Sequence, residues 1–404
     1  MNTTTQRISL TYGVGLTLLA GFPLFTLPPL GLDIFLPSVH QIGEFFGSHE
    51  VPTLAISVYM LFLGLGQLFW GGMADALGKK NIALIGLVIF TISSYMISIL
   101  TQDESLQFLL LRALQSFGGS AGFTAIFAIV RTRFDGEILN KAYSYLNGIL
   151  ALVPVSAPLV GAYIAEHNAW FTLFTVMAVL GGISFIWIML SLPNDRSGLE
   201  VKSEQSNRED IFHRYLSVIV NTRFRTYLFF ALIAQSLFIY ILTVAPMYLM
   251  GKLGTSQVAF GQMFMIIALV FMSGSFLSPK LSVLLSTKAL IALSLSLIVL
   301  GGVVMFSLSN ILAWYSLILP LVIVATGCTI LMSSSPAKAL ADFKESAGIA
   351  SGLYTATTFG AGALLATLFA MLADSTDLTQ VALVYTLSGL FALAIFALNK
   401  TVRR

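Results

Sequence analysis

The sequence predicts an all-α integral membrane protein of twelve transmembrane helices, six plus six. Three observations carry that reading. The 404 residues are 57% hydrophobic and 10% charged, with a mean hydropathy of +0.90. An ordinary soluble domain is about 25% charged, and no soluble core hides so much apolar surface. Apolar runs near the length a helix needs to cross the hydrocarbon layer recur twelve times. Finally, 19 of the 21 basic residues fall on one side when the chain alternates across a bilayer at each run.

The first run, 10–36, opens after a single basic residue, Arg7. No small-residue cleavage site ends it, so it reads as a retained helix. A connection over 37–51 leads to runs at 52–73 and 82–101, joined by the short loop GGMADALGKKN. Runs at 106–130, 142–165 and 169–192 complete a first half. Then comes a polar, charge-rich stretch, 193–225, containing PNDRSGLEVKSEQSNREDIFHR. It reads as a surface linker with an amphipathic helix near its end. Beyond it lie runs at 226–250, 257–278, 288–308, 312–335, 347–372 and 379–399. The expected organisation is an N-terminal bundle over 1–192, a cytoplasmic linker over 193–225 and a C-terminal bundle over 226–404. A repeat of the two halves is suggested by the span count, since GGMADALGKK has only a degraded partner near Ser278–Lys288.

Loop charges fix the expected orientation. With the N-terminus inside, the outer loops hold one basic residue, Lys252, and seven acids. That obeys the positive-inside rule and places both termini in the cytoplasm. The single cysteine, Cys328, excludes an intrachain disulfide. No Cys/His cluster, Walker loop or GxGxxG-to-helix pattern occurs. The expectation is a protein without enzymatic activity, metal or cofactor, and with no nucleic-acid partner.

Two charges stay in the membrane. Asp33 is the one acid of 18 inside a span, in the stretch LPPLGLDIFLPS, and Arg112 is the one basic residue. Burying either alone costs roughly 2.5–3.5 kcal/mol by insertion scales, and such groups face a bundle interior or a watery cavity. Span 1 reaches Asp33 near its outer end, and span 4 meets Arg112 six residues after 106, about 9 Å deep. The shared depth predicts a pair in which Asp33 is a proton or cation site and Arg112 tunes it. Dehydration would oppose the charged carboxylate and a guanidinium would favour it. The prolines at 28, 29 and 37 suggest a local opening of the helix around Asp33. A proton and a cationic substrate would compete for that carboxylate.

Four further side chains are candidates for a substrate cavity: Tyr59, Gln115, Gln235 and Tyr240. Gln67 joins Tyr59 in span 2, and Gln115 lies three residues beyond Arg112, on the same face of a helix. The many Phe and Met residues read as core or lipid-facing. In the loop GGMADALGKKN, Gly72 and Gly78 would allow a tight reversal. Asp75 would favour a helix N-terminus, and Lys79 and Lys80 the anionic inner leaflet.

That loop resembles the signature between spans 2 and 3 of the major facilitator superfamily, G-x-L-A-D-R-x-G-R-K. Gly71, Ala74, Asp75, Gly78, Lys79 and Lys80 match or nearly match; Ala76 and Met73 depart. Three other stretches resemble the bicyclomycin-resistance and MdfA-like drug–proton antiporters: LPPLGLDIFLPS, LLLRALQSFGGSAG and VSAPLVGAY. In the last, Pro158 and Gly161 remain while Ala157 and Ala162 replace glycines; Pro154 and Pro158 would bend the helix. SSSPAKALADFKESAGIASGLYTATTFGAGAL looks like that subgroup's spans 10–11. The resemblance implies two six-helix bundles rocking about a central cavity. It implies a latch formed by Asp75 with Lys79 and Lys80, and proton-coupled export of amphipathic or cationic small molecules. A monomer in a bacterial inner membrane is the matching expectation. The rival within transport is export of one metabolite, such as a siderophore, nucleoside or amino-acid derivative; a passive facilitator or channel is a rival of a different class.

Overall fold

The computed structural model describes residues 3–48, 50–134, 136–192, 216–343 and 347–398. The first half holds α1 (Thr3–Asp33), a short α2 (Val39–Phe45), α3 (Glu50–Leu77), α4 (Lys79–Ile97), α5 (Ser105–Arg133), α6 (Gly136–His167) and α7 (Phe171–Ser191). The second holds α8 (Thr222–Pro246), α9 (Gln257–Leu284), α10 (Thr287–Leu308), α11 (Tyr315–Ala339), α12 (Ala347–Ala356), α13 (Gly362–Leu372) and α14 (Leu378–Leu398). Wider π-turns extend α8 over Met247–Lys252 and join α12 to α13 over Thr357–Ala361, so the last two helices form one span. Among the described residues eleven segments are long and apolar enough to cross a membrane. The 32-residue α6 is the remaining long helix. The linker expected over 193–225 lies outside the described residues as far as 215.

Local chemistry sets several starts. Asn221 accepts from the Phe224 amide at 2.9 Å, Ser256 from Ala259 at 3.2 Å and Ser286 from Ala289 at 3.2 Å. Each side chain satisfies one of the donors that a first turn leaves free. Gly78 separates α3 from α4 with φ 84°, a backbone state that side chains with a Cβ resist. Gly72, expected in the same reversal, lies instead inside α3 with open space around it. One glycine suffices for the turn.

The repeat that residue identity hid is plain in the packing. In the first half α4 packs on α5 and α7, α5 on α1 and α3, and α1 on α6. In the second, α10 packs on α11 and α14, α11 on α8 and α9, and α8 on α13. Every pairing recurs six spans later. The halves meet along two seams, α3 against α12 and α13, and α6 against α9, which are counterparts under the same offset. In the first seam Thr367 donates a short hydrogen bond to Ser57. At the end expected to face outward, the turn Leu36–Ser38 packs on α8 and α9, and α2 on the Met247–Lys252 turn.

Candidate functional site

Helix α1 carries Pro23, Pro28 and Pro29 without breaking and ends at Asp33. The local opening expected around the prolines therefore lies after the aspartate, where Ile34 and Phe35 form a turn. The last carbonyls of a helix have no internal donor and carry the negative end of its dipole. One side chain meets them here: Arg112 of α5 donates Nη1 to Gly31 O at 2.9 Å. A turn earlier, Tyr59 of α3 donates its hydroxyl to Pro28 O at 2.7 Å.

Arg112 is fully buried, and its environment explains how. The guanidinium lies 4.3 Å from the Tyr59 ring centre, 4.4 Å from Phe35 and 5.6 Å from Phe174. Its Nε and Nη2 find no hydrogen-bond acceptor among the described residues, so these rings supply the compensating negative faces. A dehydrated cation–π contact contributes about 2 kcal/mol. Nη1 also donates to Gln115 Oε1 at 2.7 Å, Gln115 Nε2 to Ser94 Oγ at 2.7 Å, and Ser94 Oγ to Phe90 O at 2.7 Å. One chain of hydrogen bonds thus ties α4 and α5 to the end of α1.

The expected pair of Asp33 with Arg112 does not form as an ion pair. Ion pairs such as His40 with Glu44 and Arg223 with Asp342 lie elsewhere. Arg112 holds the backbone two residues before the aspartate instead, because a helix terminus offers it a partial negative charge already in place. Asp33 turns into a cavity of about 240 Å³ between the halves. It is 5% exposed and, among the described residues, the only carboxylic or basic side chain in the cavity wall. A second glycine sets its position. A Cβ at Gly161 of α6 would stand 2.0 Å from the Ile34 carbonyl oxygen, so only glycine lets α6 back the turn after Asp33. Pro154, one of the two helix-bending prolines of α6, lines the cavity, and the Pro158 carbonyl faces Gly261 of α9 across the second seam.

Of the four cavity candidates, two line it. Tyr59 presents its ring and Gln235 its side chain, and Gln67 joins them. Gln115 does not; it lies behind Arg112, sharing that residue's face of α5 but turned from the cavity. Tyr240 does not either. Its ring packs 5.7 Å from Tyr385 and 6.0 Å from Phe369 inside the second half. The walls are mostly what was expected to be core or lipid-facing: Phe123, Phe238, Phe264, Phe271 and Phe359, with Met60 and Met332. Phe35, Ser94 and Phe174 around Arg112 were likewise not singled out by the sequence. Phe35 alone had a signal, lying two residues past Asp33.

The loop lysines act within the first half. Lys79 Nζ donates to Thr132 Oγ1 at 3.0 Å, at the end of α5. Lys80 Nζ donates to Met189 O at 2.8 Å and to Leu192 O, the terminal carbonyls of α7. The Lys80 contacts fit the attraction of a helix C-terminus for a cation. The side chain of Asp75 lies outside the described residues.

Comparison with known proteins agrees with this architecture. The chain is 29% identical over 343 residues to the multidrug resistance protein MdtL of Shewanella oneidensis, covering 83% of this chain and 84% of the relative. It is 30% identical over 344 residues to MdtL of Shewanella sp. strain ANA-3, with the same coverage. Among solved structures, a D-xylose–proton symporter superposes with a TM-score of 0.75 at 14% identity, covering 93% of this chain and 96% of the other. The nucleoside transporter NupG superposes with a TM-score of 0.72 at 14% identity, covering 94% and 99%. The Major Facilitator Superfamily pattern matches residues 22–367, and the chain, a multi-pass membrane protein, belongs to that family.

Proposed function

We propose that this transporter exports amphipathic or cationic small molecules in exchange for protons, with Asp33 as the exchange site. The observation that carries the reading is an unpaired, buried carboxylate standing alone in a cavity walled by aromatic rings. A proton and a bound cation compete for this one carboxylate. A cation arriving from the cytoplasm therefore expels a proton, and a proton arriving from outside expels the cation. Arg112 is a positioning residue: it holds the end of α1 and leaves the carboxylate free. Pro154, Pro158 and Gly161 shape the helix that backs it. The multidrug resistance names of the bacterial relatives support export of varied substrates.

The charge pattern supports a bacterial inner membrane with both termini cytoplasmic. One acid in the cavity supports one proton per cycle; the reading is completed by a working monomer with no cofactor beyond the proton gradient. A neutral substrate exchanged for one proton moves one charge, which at 100 mV is about 2.3 kcal/mol, a gradient of about 50-fold. A monovalent cation exchanged for one proton moves no net charge and is driven by the pH difference alone.

Inverted vesicles with an acidified lumen test this. They are expected to accumulate tetraphenylphosphonium, and Asp33→Asn should reduce that to equilibration. Adding the same cation to purified protein in weak buffer should release protons from the wild type and none from Asp33→Asn. Uphill transport by the variant at the wild-type level would sink the mechanism. A passive facilitator would show no uphill transport in either.

A further inference from the structure

Two glutamines of the cavity, Gln67 and Gln235, have no part in the proton cycle, and Gln235 is the more buried. Gln235 of α8 is 5% exposed and lines the cavity from the second half, facing the wall that holds Asp33. Phe238 and Leu242, one and two turns on, share its face, and both are apolar. A Cβ built at Gly362 of α13 would lie 3.2 Å from Gln235 Cγ and 3.6 Å from its Cβ. The glycine thus leaves the room that the stem of Gln235 occupies. Among the described residues no protein group hydrogen-bonds its amide, which faces the cavity. The Tyr59 hydroxyl, by contrast, is taken by Pro28 O.

The amide is not sealed off from the cavity, so a ligand there can reach it. A site that keeps such a group selects ligands that complete its hydrogen bonds. We infer that Gln235 is a specificity-determining residue. It hydrogen-bonds a polar group of the transported cation, at a point on the ligand away from the charge that meets Asp33. The inference rests on the exporter reading above and narrows it to aromatic cations that also carry an amine, hydroxyl or carbonyl. An amide both donates and accepts, so one residue serves all three. The two anchors lie on opposite halves, so such a ligand bridges them.

Binding to the purified full-length protein tests this with two probes. Tetraphenylphosphonium is a cation without hydrogen-bonding groups; ethidium is a cation with two aromatic amines. Gln235→Met keeps the length and removes the amide. Ethidium is expected to bind about tenfold more weakly to the variant, the loss of one hydrogen bond, with tetraphenylphosphonium unchanged. Retained tetraphenylphosphonium binding also reports that the variant is folded; if it does not fold, Gln235→Leu is read in the same way. Unchanged ethidium binding, or equal losses for both probes, overturns the inference. Failure of the exporter reading has a different signature: tetraphenylphosphonium binding that ignores Asp33→Asn.

Discussion

The two halves share one set of helix pairings and differ in what those pairings hold. In the first half, α1 against α6 places Gly161 behind the turn that follows Asp33. In the second, the equivalent pair, α8 against α13, places Gly362 behind Gln235. One glycine backs the residue that follows the carboxylate, through its backbone; the other backs a neutral amide through its stem. The first half also keeps Arg112 buried under aromatic rings, whereas the described residues of the second half include no buried charged side chain. The same scaffold thus divides the work, with charge chemistry on one side and neutral recognition on the other.

Breaking the charged half should have the largest effect. Arg112→Ala leaves Gly31 O without its donor and a hole among three rings. It is expected to cost about 3–5 kcal/mol, read as a lower Tm in detergent, and to abolish coupled export. A change under about 1 kcal/mol would mean that Arg112 does not hold the end of α1. The glycine pair gives a sharper contrast. Gly161→Ala meets the Ile34 carbonyl at 2.0 Å, so backbone must move; Gly362→Ala meets a flexible side chain at 3.2 Å. The first should cost about 1–3 kcal/mol and most of the export, while the second should leave stability nearly unchanged and weaken only ethidium. Equal effects would erase the proposed division. The smallest effect belongs to Tyr385→Phe. Its buried hydroxyl has no partner among the described residues, so its removal should raise stability by about 1 kcal/mol without altering transport.

The fold was legible because lipid imposes a simple grammar. Span length and basic loops suffice for twelve helices, and a census of charges isolates Asp33 and Arg112 without any structure. Their relationship was not legible, since a helix terminus competes for a guanidinium as well as a carboxylate does, and composition does not show the competitor. Part of the cavity was within reach. Gln235 and Tyr240 are five residues apart, about 140° around a helix, so they do not share a face, whereas Gln235, Phe238 and Leu242 do. The phenylalanines were out of reach, because a ring facing lipid and a ring facing a cavity look alike in sequence. Nor did sequence separate a lysine that touches lipid from one that ends α7.

The five phenylalanines in the cavity wall have a calorimetric consequence. A pocket so apolar holds water poorly, and a ligand entering it displaces few well-bound molecules. Binding into such a preformed space is characteristically driven by heat released rather than by entropy gained, with a negative change in heat capacity. Titration calorimetry of tetraphenylphosphonium across a range of temperatures should therefore give an exothermic signal that grows on warming, even though the ligand is among the greasiest of cations.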